Sequence, residues 1–137
     1  MPVLLKGSCL CSNIQFEYSG VLGPIIQCHC TQCRKSNGTA FAANCSIDKS
    51  HFNIVSGEDL IKEYESTKGK VRAFCSNCGS PVYSRKDSLP DKLRIRIGLL
   101  DTKIDDKPAY QIFVDSNAEW HKICDDIPQY PGFEPGR

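Results

Sequence analysis

Three cysteines crowd into the six positions Cys28-His29-Cys30-Thr31-Gln32-Cys33, and two further pairs stand at Cys9-Leu10-Cys11 and Cys75-Ser76-Asn77-Cys78. Zinc takes four sulfur or nitrogen donors in a tetrahedron, at about 2.3 Å for sulfur and 2.0 Å for nitrogen. A Cys-x-Cys or Cys-x2-Cys turn supplies two donors at once, so Cys9, Cys11, Cys75 and Cys78 together complete one closed, structural site. Gly79, directly after the second pair, tolerates the positive φ that a zinc knuckle uses. Residues two apart on a strand point the same way, which predicts that Cys9 and Cys11 converge from one face while Leu10 points to the other. The ion would clip the N-terminal strand to a loop roughly 65 residues further on. Structural zinc contributes on the order of 10 kcal/mol to folding.

Cys28, Cys30 and Cys33 remain as three soft ligands, which favour zinc over magnesium or calcium. Three protein ligands and an open position form the catalytic pattern. The alternative is a second inert site, closed by Cys45, Cys124, His29, His51 or His121. His29 points away from the side shared by Cys28 and Cys30, which suits a supporting or packed residue better than a fourth ligand. Cys45 lies in the apolar stretch Ala42-Ala43-Asn44-Cys45-Ser46-Ile47 and reads as a small buried hydrophobe. Cys124 reads as buried or half-exposed. A redox role for Cys75 and Cys78 would need a helix opening at the first cysteine of a βαβ unit, which Gly79-Ser80-Pro81 opposes.

The elements that must carry these residues are mainly strands. Period-two patterns run through Ile14 to Tyr18, Val71 to Phe74, Leu93 to Ile97 and Tyr110 to Val114. Turn signals at Ser19-Gly20, Gly23-Pro24, Asn37-Gly38, Ser56-Gly57, Lys68-Gly69 and Leu89-Pro90-Asp91 separate them at intervals suited to an antiparallel meander. The fold class is therefore all-β, with one short helical turn over Thr31 to Asn37 ended by Gly38. Arg94 and Arg96 fall on the alternate side of their strand, predicted to be solvent-facing. The lone Trp120 reads as core or as the mouth of a pocket. Residues 130–137, rich in Pro and Gly, are expected to be extended or frayed, with Tyr130 or Phe133 as pins.

The length of 137 residues predicts a single domain over 1–137. Seventeen Lys and Arg against sixteen Asp and Glu leave a charge of +1, too little field to draw a nucleic acid or an acidic membrane. Two thiolate-bound zinc ions would lower that to roughly −2. The N-terminus lacks the apolar run of a signal peptide and no segment has the length of a membrane span. An odd count of nine cysteines argues against a disulfide framework and for a reducing, cytoplasmic setting.

In combination, Gly7-x-Cys9-x-Cys11, Cys28-His29-Cys30-x2-Cys33-Arg34, Gly38, Ser56-Gly57, Phe74-Cys75-x2-Cys78-Gly79-Ser80 and Trp120 resemble the glutathione-dependent formaldehyde-activating family, known also from the centromere protein V group. The resemblance runs from about Gly7 to Pro131. It implies tent-like packed antiparallel sheets and two Zn2+ per chain, a structural one at Cys9, Cys11, Cys75 and Cys78 and a catalytic one at Cys28, Cys30 and Cys33. It also implies a carbon–sulfur lyase that joins glutathione and formaldehyde into S-hydroxymethylglutathione. The sequence departs from the family pattern at Ser12, where Gly commonly follows the second cysteine. Two further departures are Cys45, often a large aromatic, and Glu119, often Pro.

Three thiolates give the ion a formal site charge of about −1, which suits binding and acidifying a thiol more than polarising a carbonyl. Arg34, directly after Cys33, is the nearest cation able to anchor a carboxylate of such a small thiol. Arg72 and Arg85 are more distant candidates, and Tyr64, Ser66 and Thr67 offer hydroxyls that serve equally as turn caps. The competing readings are a zinc enzyme on another small substrate and a zinc-stabilised binding module without activity. A chromatin-binding member would carry a basic extension, which is missing before Gly7 and after Pro131.

Overall fold

The computed structural model describes residues 4–137. In chain order the elements are β1 (Leu5–Ser8), β2 (Gln15–Tyr18), β3 (Ile25–Cys28), α1 (Thr31–Asn37), β4 (Ala42–Asp48), β5 (Phe52–Ser56), β6 (Ile61–Thr67), β7 (Lys70–Cys75), β8 (Pro81–Lys86), β9 (Lys92–Arg96) and β10 (Pro108–Ile112), with short 3-10 turns between some of them. The protein is mostly β. Backbone contacts gather it into two compact units: the chain up to Gly23 with Cys45–Asp105, and Pro24–Asn44 with Asp106–Arg137.

In the first unit, β1, β2 and β5 form an antiparallel sheet. Strands β6 to β9 follow one another as the antiparallel meander that the turn signals predict. Gly7 stands opposite Phe16, and a side chain there would collide with the Phe16 ring. One apolar cluster gathers Leu5, Tyr18, Cys45, Ile47, Leu93 and Ile95. Another gathers Ile14, Phe16 and Val82 around Cys9 and Cys75. Cys45 is fully buried among these side chains, as its apolar context predicts.

Arg94 and Arg96 are a correction: both are buried and partnered rather than solvent-facing. Alternation along a strand distinguishes two faces but not whether the second one is also covered, and a long Arg stem packs along apolar surface while its guanidinium finds a polar partner.

In the second unit, β3 has β10 as a neighbour. Its pairing with β10 is parallel, with Ile112 opposite Cys28. This departs from a pure antiparallel meander, because hydrophobic period reports which face is buried and not strand direction. The predicted helical turn is α1, with Gly38 at its C-terminus at φ +66° donating to Arg34 O at 2.7 Å. The tail is pinned by both predicted aromatics. Tyr130 donates its backbone N–H to Gln111 O, accepts from Val114 N and packs edge-on against Tyr110, while Phe133 packs against Phe113 with ring centroids 4.8 Å apart. Trp120 is 69% exposed, so it is not core, and Cys124 is also exposed. Among the described residues, no helix is long and apolar enough to cross a membrane.

Candidate metal centres

Cys9, Cys11, Cys75 and Cys78 meet in the first unit with all four sulfurs within 4.8 Å of one another. Two sulfur separations are 3.5 Å (Cys9 to Cys11) and 3.9 Å (Cys11 to Cys75). A tetrahedron with zinc–sulfur bonds of about 2.3 Å has edges of about 3.8 Å, so the donors present fit the ion. Cys9 and Cys11 do not sit on a regular strand as predicted; they lie on a turn just past β1, closed by Ser12 N to Cys9 O at 2.9 Å. The turn still sends Leu10 outward, 82% exposed. Ser80 ties the two cysteine turns together, accepting from Leu10 N at 3.0 Å, while Gly79 at φ +82° lets its own N–H close the knuckle on Cys75 O at 2.8 Å.

The thiols of this group are unequal. Burial pushes Cys9 up to about 11, hydrogen bonds from Ser80 draw Cys78 down to about 5, and the Asn77 side chain lowers Cys11. Such a set holds negative charge at some sulfurs while resisting it at the buried Cys9, which a cation at the centre resolves.

In the second unit, β3 delivers Cys28 as its last residue, Cys30 caps α1 by accepting from Cys33 N at 3.3 Å, and Cys33 lies in the first turn of that helix. The three sulfurs lie within 4.8 Å of one another, and among the described residues no further Cys, His, Asp or Glu joins them at that distance. Cys28 is pushed far above the usual thiol range by hydrogen bonding to Cys30, then to Cys33, and by burial. Three crowded soft donors that cannot all ionise alone are a donor set suited to zinc.

The model of the family described as glutathione-dependent formaldehyde-activating enzyme matches residues 4–116. The chain belongs to this family. Its match takes in both cysteine groups. A curated relative from Schizosaccharomyces pombe, named an uncharacterized lyase, is 31% identical over 78 residues, which is 57% of this chain and 55% of the relative. The chain thus spans about half the length of that protein. A crystal structure of a Rhodobacter sphaeroides protein shares the fold at a TM-score of 0.62 and 21% identity, covering 73% of this chain and 91% of the other.

At Ser12 the backbone adopts φ +66°, a conformation that costs a side-chain-bearing residue about 1 kcal/mol or more. Arg34 follows Cys33 on α1 and is half-buried, and its Nε has no partner among the described residues. Arg85 is engaged by Glu63, and Arg72 is buried and donates to Ser66 at 3.2 Å. His29 stands apart from the cysteine group, fully buried, with Nε2 2.6 Å from Gln111 Oε1. Sequence reasoning missed Gln111 and Asp125 altogether. Gln111 meets His29 from 82 residues away and Asp125 meets Gln111 in turn, and no local pattern marks a glutamine in an apolar strand as a hub.

Proposed function

We propose that this member of the family is a zinc-dependent carbon–sulfur lyase. Cys28, Cys30 and Cys33 would hold the catalytic Zn2+, and Cys9, Cys11, Cys75 and Cys78 a structural one. The observation that carries the reading is the contrast between the two groups: four sulfurs in one and three in the other, with no further Cys, His, Asp or Glu among the described residues joining the three. When bound by three thiolates, zinc supplies a fourth position for a soft donor and lowers the pKa of a thiol placed there. The family and the lyase name of the yeast relative support the reaction class.

The substrate proposed is glutathione with formaldehyde. Sulfur adds to the carbonyl carbon, the thiol proton ends on the carbonyl oxygen, and a carbon–sulfur bond forms with no change of oxidation state. Cys30 caps α1, so the helix fixes the spacing of Cys30 and Cys33. Arg34, next along that helix, would pair with a substrate carboxylate by a charge-assisted hydrogen bond. The test is turnover of glutathione and formaldehyde, followed by NMR of the hydroxymethyl carbon. Catalysed exchange by the wild type, lost in Cys30→Ala and weakened chiefly in KM by Arg34→Ala, supports the proposal. Uncatalysed exchange in a fully zinc-loaded protein would move the chain to another small substrate or to a zinc-stabilised binding module.

A further inference from the structure

His29 separates two members of the three-thiol group, Cys28 and Cys30, in the chain. Its backbone N–H donates to Ile112 O on β10 at 3.0 Å. Its side chain reaches the neighbouring residue of that strand, Gln111, at 2.6 Å. Gln111 is 2% exposed, and its amide nitrogen donates to Gln27 Oε1 at 2.6 Å and to Asp125 Oδ2 at 2.9 Å. With both amide N–H groups directed at oxygens, Gln111 Oε1 is the acceptor and His29 Nε2 the donor. The imidazole is further enclosed by Phe41 and His121, at ring-centroid distances of 5.4 and 5.7 Å. Its Nδ1 has no partner among the described residues, which leaves Gln111 as the polar tie of a fully buried ring.

We propose that Gln111, oriented by Asp125 and Gln27, is a positioning residue for the three-thiol site. It fixes His29, which lies between the end of β3 and the start of α1, and through that the placing of the flanking Cys28 and Cys30. The inference rests on the reading that Cys28, Cys30 and Cys33 bind metal. Asp125 lies beyond the family-matched residues 4–116. Partners that orient metal-binding groups typically change metal affinity by roughly 10- to 100-fold when removed. An effect transmitted through a neighbouring residue belongs at the lower end.

The test is stepwise zinc release from the full chain by chelators of graded strength, with Cys30→Ala marking the step that belongs to the four-thiol site. Gln111→Leu should weaken the three-thiol site roughly 10-fold and leave the four-thiol step unmoved. Asp125 is exposed, so its variants keep the fold even if Gln111→Leu does not. Asp125→Ala should show a smaller loss at the same site, and Asp125→Asn, whose carbonyl still accepts from the Gln111 amide, should restore it. Equal weakening of both sites, no change at either, or failure of Asp125→Asn to restore would overturn the proposal. Two bound ions with affinities indifferent to these variants would overturn it alone, whereas a wild type that binds one ion would overturn the metal reading as well.

Discussion

Cys30 and Cys75 have the same side chain and opposite assignments. Cys30 is half-exposed at the start of a helix that Gly38 closes independently, whereas Cys75 is fully buried at the end of β7, in the apolar cluster that also holds Cys9. Cys30→Ala should therefore leave a folded, inactive protein with one zinc, and Cys75→Ala should lose most of the stabilisation, on the order of 10 kcal/mol, that a structural ion contributes. Circular dichroism melts with metal counts check both. Ser12→Gly should stabilise by about 0.5–1 kcal/mol, because the left-handed backbone there no longer carries a Cβ; denaturant midpoints at matched zinc loading would show it. The seven clustered cysteines were legible from spacing alone, since a tetrahedral ion dictates which residue types must meet. The burial of Arg94 and Arg96 was not legible, because alternation does not say whether the second face of a strand is covered.

At the scale of elements, a row across three strands links Glu63 on β6, Ala73 on β7 and Tyr83 on β8. The small Ala73 lets Glu63 reach over the central strand, where it accepts from Tyr83 Oη at 2.9 Å and pairs with Arg85 at 3.0 Å. Arg85, then Tyr83, holds the Glu63 carboxyl below its usual range. A lowered carboxyl pKa stabilises the fold above the unfolded value of about 4.3, and the contribution fades as pH falls through the lower folded value. Glu63 and Arg85 are each about a third exposed, so solvent limits the pair to less than about 1 kcal/mol. Urea midpoints should show wild type ahead of Glu63→Gln by that amount above about pH 5, with the gap closing below about pH 4. Strands and α1 were legible because period two and the Asn37-Gly38 stop act locally. The parallel pairing of β10 with β3 was not, because it joins segments some 80 residues apart.

At the scale of the molecule, both cysteine groups lie inside the family-matched residues, while Asp125 and the aromatic pins of the tail lie outside them. The family was legible from motif order. The Gln111 hub was not, because it depends on side chains brought together by folding. The central claim is that one zinc is closed by protein and the other keeps a position for a thiol. X-ray absorption on the two-zinc protein, with and without glutathione, counts sulfur neighbours directly. Four-thiolate and three-thiolate sites together predict an average of about 3.5 sulfurs per zinc, rising to about 4 when glutathione is added. An average of four before any thiol is added, or a value that glutathione leaves unchanged, would contradict the account.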